Sequence, residues 1–439
     1  MKSLLRLLPL LFLLAVACRK EEPEPTPAEP EEPAEEEVVE ADPLHEKEIP
    51  ASFTLPSVYI NTERRQNILS KDEYVNASFH FEDLSGFYTD NKRFSYAGRI
   101  KGRGNTTWSM SDKKPYRIKL DEKARIFTPY KNRDWILLAN YSDKTLLRNI
   151  TAMEISRILG MAWTPYMLSV NVYINDQYRG VYTFSDHKEV AGRRVDIEVV
   201  QPEDTDITGD YYLEVEANMD EPVCFKTLFG AGINFHEPEY PTEAQLAYIQ
   251  DWFTGLENSL SAIRTKQDYT TWRRYADEAS FIDYYLIQEL TKNPDGGVYK
   301  STFLTKERGK PLRMYHVWDF DIALGNCNYY EGQYSDPTGF VMRNQRWYNY
   351  LFLDPTFIAA VKKRWKEVYP ALKGVPDFID RQHALMAGAE TANFQTWPIL
   401  GKYVWPNQFI FNTYTEELNF LKQFVSERID WMNRAISYW

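Results

Sequence analysis

The chain carries only three cysteines and six histidines among 439 residues, and no two cysteines stand in a Cys-x-x-Cys spacing. That scarcity excludes a disulfide-stapled scaffold and leaves no His/Cys cluster of the kind that holds structural zinc. Of the three, Cys224 and Cys327 are read as buried free thiols rather than a disulfide. A basic tract is also missing and the formal net charge is −12, so no nucleic-acid partner is expected. No apolar run approaches the roughly 20 residues that a helix needs to span a bilayer. Internal repeats are absent.

What is present begins with an export signal. Lys2 and Arg6 precede an apolar stretch from Leu7 to Leu14, and Ala15, Val16 and Ala17 lead to Cys18. A charged head, a short apolar stretch and small residues before a cleavage point make a secretory signal. Leu14-Ala15-Val16-Ala17-Cys18 resembles the bacterial lipobox, with Ala15 where Leu is usual, in which the cysteine is diacylated and becomes the new N-terminus. Cys18-Arg19-Lys20-Glu21-Glu22 is similar to the tag that follows the lipid cysteine in surface-exposed bacterial lipoproteins. Residues 1–18 are therefore read as a lipoprotein signal with lipid on Cys18. The expected location is outside the cytoplasm, anchored to the outer membrane or cell surface. Residues 19–50 are read as a disordered tether, because positions 21–43 are nearly all Glu, Pro and Ala and cannot bury enough apolar surface to offset their ordering entropy.

Residues 51–439 hold the folded domain, and an aromatic content of 15% supplies a large core. From Ser57 the apolar residues alternate in strand fashion, through Val58, Ile60, Val75, Phe79 and Phe81. Tyr96 to Lys101 and Tyr116 to Leu120 read as strands with Arg99, Lys101, Arg103, Arg117 and Lys119 on polar faces. The turn Gly102-Arg103-Gly104-Asn105 then makes a cradle for phosphate oxygens. Asn175-Asp176 marks a hairpin. Helices are expected over Thr145–Leu159, Glu243–Leu260, Ser280–Thr291 and Phe409–Tyr438. Sheet first and helices later make an α+β domain of two unequal lobes.

The strongest chemical signal is Asp319-Phe320-Asp321. Two aspartates two apart on a strand point the same way, and carboxylates among apolar neighbours call for a hard cation such as Mg2+. Asp295, in a Gly-rich loop, is free to act as a base. Asp-x-Asp also occurs in structural turns, so spacing alone does not decide.

Five ordered blocks add a resemblance. They are Gly102 to Trp108, Lys114-Pro115-Tyr116-Arg117-Ile118-Lys119-Leu120, Leu137 to Asn149, Glu289 to Asp295 and Trp318-Asp319-Phe320-Asp321. Their order and spacing, over about residues 55–345, are similar to the CotH kinase family; the helical residues 351–439 carry no such motif. The resemblance implies a two-lobed atypical protein-kinase-like fold, ATP and Mg2+ as ligands, and γ-phosphoryl transfer to hydroxyls of a protein substrate. It implies Asp295 as the base and Asp319 and Asp321 as metal ligands. Gly102, Arg103, Gly104, Asn105 and Lys119 would hold phosphates, with Lys114 as the competing lysine, Glu154 as the lysine's partner, and Arg148 as a phosphate clamp or a helix cap. Lys300 and Ser301 stand where a kinase catalytic loop usually places its metal-binding Asn, which leaves one metal site supported and the second open. Asp186 and Glu216 also depart from the family's usual residues. The alternative is a surface protein that uses the same fold to bind a protein or glycan. Trp347, Tyr348, Tyr350, Trp397, Tyr403 and Trp405 would then form a stacking platform unless they are packing residues.

Overall fold

The alternating stretches of the first part of the domain build seven strands. These are β1 (Ser57–Thr62), β2 (Val75–Glu82), β3 (Arg93–Gly102), β4 (Tyr116–Ala124), β5 (Asn132–Leu138), β6 (Met167–Ile174) and β7 (Gln177–Asp186). The computed structural model describes residues 47–90 and 92–439; the signal, Cys18 and nearly all of the tether lie outside them. The strands close a barrel in the order β1-β2-β3-β4-β5-β7-β6, antiparallel throughout except where β1 meets β6. Every second residue faces inward, so Val58, Ile60, Phe79, Phe81, Ile100, Ile118 and Leu120 fill the barrel. Gly98 is required where β3 crosses β4, since a Cβ there would lie 2.5 Å from the Lys119 carbonyl oxygen. Asn175 and Asp176 both take positive φ, the conformation of a type I′ hairpin turn.

A second sheet follows, from β8 (Tyr211–Val215), β9 (Cys224–Lys226), β10 (Gly232–Glu237), β11 (Thr302–Lys306) and β12 (Arg313–His316), in the order β12-β11-β8-β10-β9. The helices are α1 (Thr106–Met110), α2 (Arg148–Leu159), α3 (Glu243–Lys266), α4 (Glu278–Thr291), the single turns α5 (Tyr329–Gly332) and α6 (Tyr348–Leu351), α7 (Pro355–Leu372), α8 (Val375–Ala384), α9 (Ala389–Thr396) and α10 (Tyr414–Ser437). Strands and helices together make the α+β architecture expected. None of the helices among the described residues is long and apolar enough to cross a membrane.

Helix α4 lies at the centre. Phe281, Tyr284, Tyr285, Leu286, Ile287 and Leu290 are buried in the main core, with α2, α7 and α10 packed around them. At roughly 1.5–3 kcal/mol for each large side chain removed from water, such burial fixes the helix and the loop that leaves it. Asp277 caps its N-terminus by accepting from the Ser280 N–H.

Three helix starts differ from expectation, each for a capping reason, and the first is α4, which begins at Glu278 rather than Ser280 because Asp277 is its N-cap. Helix α2 begins at Arg148 rather than Thr145, because Asp143 bonds the Thr145 and Arg148 N–H groups and holds residues 143–147 as a turn. Helix α10 begins at Tyr414 rather than Phe409, where Thr413 and Glu416 form a capping box. The Asp319-Phe320-Asp321 segment is not strand: β12 ends at His316, and Asp319 adopts φ +66°. Of the aromatic residues proposed as a platform, Trp347 and Tyr348 are core. Tyr350 stacks on Phe229 at 4.8 Å, and Trp397 donates to the Arg179 carbonyl. Only Tyr403 and Trp405 are exposed.

Candidate active site

Loops from both sheets and from the α9–α10 connection enclose a cleft of about 350 Å³. A larger hollow of about 430 Å³ beside Tyr59 and Tyr173 contains a single carboxylate, Glu82, and lacks the chemistry described next. Asp295 enters the cleft from the α4–β11 loop, and Asp319 and Asp321 enter from the segment after β12.

Three asparagines hold these carboxylate-bearing segments. Asn293 accepts from the Asp295 N–H at 3.1 Å and donates to the Asp319 carbonyl at 3.3 Å. Asn149, from α2, accepts from the Phe320 N–H at 2.8 Å. Asn326 donates to the Asp321 carbonyl at 2.6 Å and to the Ser142 carbonyl at 3.0 Å. The two aspartates thus reach one cleft through backbone hydrogen bonds and a left-handed residue, not through strand parity. Ser142 completes the shell with its hydroxyl on Asp321 Oδ2 at 3.0 Å.

Cations face the carboxylates. Arg103 lines the cleft with Gly104 and Asn105, and the charges of Asp319 and Asp321 act on it. Lys188, just past the end of β7, reaches Glu214 of β8 at 3.3 Å. Lys300 comes from the same loop as Asp295.

The other expected phosphate ligands are elsewhere. Lys119 lies on the barrel's outer face, 3.4 Å from Asp134, which Arg117 also binds at 2.7 Å. Lys114 donates to the Trp108 carbonyl at 2.6 Å. Gly102 packs under the Trp108 ring, with no room for a Cβ. Glu154 pairs with Arg157 of its own helix at 2.6 Å and does not line the cleft. Arg148 is 1% exposed and is held by Asp143 at 2.6 Å, so it braces the α2 start instead of reaching a ligand. Strand parity misdirected the lysine assignment because a barrel has an outside, and the polar face of β3 and β4 is that outside. Lys188 and the three positioning asparagines were missed. The asparagines were nonetheless inside or beside the quoted motifs, and Lys188 follows the acidic strand end at Asp186.

Burial and mutual repulsion set the charge states. Burial, then the Asp319 charge, pushes Asp295 up to about 6 while Lys300 draws it down. Burial and the Asp319 charge push Asp321 up to about 8. Asp319 is raised as well, chiefly by desolvation, although it is open to the cleft and Arg103 opposes the shift. Burial disfavours the charged Glu214, but Lys188 and His236 outweigh it and hold its carboxyl below the ordinary range.

No group of three or more His, Cys, Asp or Glu side chains suited to a metal occurs among the described residues. Mg2+ ordinarily takes one or two carboxylates and completes its shell with water and phosphate oxygens. Two carboxylates whose protons are held by mutual repulsion fit such an ion.

Two comparisons bear on identity. The family model described as "CotH kinase protein" matches residues 100–432. Among curated proteins, none matches the sequence.

Proposed function

This chain belongs to the CotH kinase family, and from that premise we propose that it is an ATP- and Mg2+-dependent protein kinase that phosphorylates hydroxyls of a protein substrate. The observation that carries the reading is the meeting of Asp295, Asp319 and Asp321 with Arg103, Lys188 and Lys300 around one cleft. In this reading the barrel, with Arg103 and Lys188, acts as one lobe, and the helices and second sheet, with the carboxylates, act as the other.

Asp319 and Asp321 would hold Mg2+, which when bound supplies charge neutralisation for the polyphosphate. Arg103 and Lys188 bind phosphate oxygens, and Glu214 orients the Lys188 ammonium. Asp295 takes the acceptor hydroxyl's proton as its oxygen bonds to the γ-phosphorus. The bond from that phosphorus to its bridging oxygen breaks, and ADP departs. Little covalent chemistry falls to the protein, so positioning and charge supply the rate.

The leader motif supports placing this activity outside the cytoplasm, on a lipid anchor at Cys18 and an acidic tether, with membrane-proximal proteins as acceptors. Calorimetry with ATP and Mg2+ tests the reading: micromolar to millimolar nucleotide affinity that requires Mg2+ and is lost in Asp319→Asn is expected, together with phosphorylation lost in Asp295→Asn. Wild-type protein without nucleotide affinity would end it and leave partner binding as the function.

A further inference from the structure

The loop from Asp295 to Ser301 folds back on itself. Val298 and Ser301 both adopt positive φ, 55° and 47°, a conformation that strains a β-branched residue such as valine. Gly296 packs directly against Gln288, where a Cβ would lie 1.9 Å from Oε1. The Lys300 N–H donates to the Asp295 carbonyl at 3.1 Å and closes the loop. This geometry puts the Lys300 side chain in the cleft with Asp295 and Asp319.

No carboxylate lies within ion-pair distance of Lys300 among the described residues, and its closest ring contact is its own neighbour Tyr299, at 5.9 Å. Its charge nevertheless acts on Asp295, Asp319 and Glu216. Position 300 is also where a kinase catalytic loop carries the Asn that ligates a second Mg2+. An ammonium group has three donors and no acceptor, so it cannot ligate a cation and repels one.

We propose that the Lys300 ammonium stands in place of the second divalent ion, so that nucleotide binds with a single metal at Asp319 and Asp321 and Lys300 neutralises the phosphate oxygens on the other side. This rests on the phosphoryl-transfer reading above. It explains why a strained loop turns an unpaired lysine toward two carboxylates: the phosphate it awaits lies between them.

Metal stoichiometry tests it without relying on turnover. Mn2+ is titrated into the purified protein with a non-hydrolysable ATP analogue and followed by electron paramagnetic resonance, while calorimetry gives nucleotide affinity. One Mn2+ per bound nucleotide is expected. Lys300→Met should weaken nucleotide binding about tenfold or more with its melting temperature unchanged, and Lys300→Arg should restore the affinity. Two Mn2+ per nucleotide in the wild type, or Lys300→Met with wild-type affinity, would overturn the proposal while leaving the kinase reading intact. Wild-type protein that binds no nucleotide would overturn both.

Discussion

Arg428 of α10 and Glu289 of α4 form an ion pair, Nη2 to Oε1 at 2.8 Å, with neither side chain exposed to solvent. Glu289 also accepts the N–H groups of Val341, Met342 and Arg343. Arg428 spends its remaining donors on the carbonyls of Glu289, Pro337 and Gly339. The last helix of the chain is thereby tied to the turn of α4 that runs into Asn293 and Asp295. Removing one partner strands a buried charge, which costs about 3–5 kcal/mol. Arg428→Ala should shift the urea midpoint down accordingly, and the double variant Arg428→Met/Glu289→Gln should recover part of the loss. An unchanged midpoint in Arg428→Ala would show the pair to be dispensable.

The lysine assignment separates cleanly by mutation. Lys188→Met removes the ammonium proposed to bind phosphate and leaves buried Glu214 with His236 as its remaining partner. Nucleotide affinity should fall by about tenfold or more. Lys119→Met leaves Asp134 paired with Arg117 at 2.7 Å and touches nothing that lines the cleft, so it should bind nucleotide like the wild type. Calorimetry on the two variants decides; equal losses would return Lys119 to the site.

The base proposed above, Asp295, sets a pH profile. With its carboxyl raised to about 6, Asp295 is protonated below that value and cannot accept a proton, and it is ionised above it. Phosphorylation rate at saturating nucleotide should therefore rise with pH through an acid limb near 6 or below, since a bound cation lowers the value further. A flat profile from about pH 5 to pH 8 would remove Asp295 from the role.

Asp321, proposed as a metal ligand, also links protons and stability. Raised to about 8, it is largely protonated at neutral pH in the metal-free protein, so binding Mg2+ near pH 7 should release about one proton. Calorimetry in buffers of different ionisation enthalpy measures this. The stability sign follows from a folded pKa above the unfolded value of about 3.9: the native state binds more protons, and stability falls as pH rises from about 4 to about 8. Asp321→Asn should thus melt several degrees higher than metal-free wild type near pH 8, and the gap should close toward pH 4. A variant that melts lower at both pH values would contradict the repulsion between the paired aspartates.

Much of the architecture was readable because local rules and tertiary packing agree. The β4 alternation and the Asn175-Asp176 turn both express single-residue preferences. The carboxylates Asp295, Asp319 and Asp321 were legible as chemistry. Their shared location was not, because it depends on the left-handed Asp319 and on hydrogen bonds that Asn149 accepts and Asn293 donates, both distant in sequence. Lys188 was hidden for a related reason: parity along one strand identifies a face, and only the closure of the barrel says which face looks outward. The role of Arg428 was invisible, since a buried arginine in an amphipathic helix reads like a surface one.

The connection between α9 and α10 also has a temporal meaning. Val404, Trp405 and Pro406 line the cleft, Asn407 donates to the Ser142 carbonyl at 2.8 Å, and Lys144 donates to the Lys402 carbonyl at 2.7 Å. That part of the cleft wall is therefore built from residues synthesised after all three carboxylates. A chain growing from its N-terminus has Asp295, Asp319 and Asp321 before it has a complete cleft, and the cleft is complete only once the α9–α10 connection has emerged and docked.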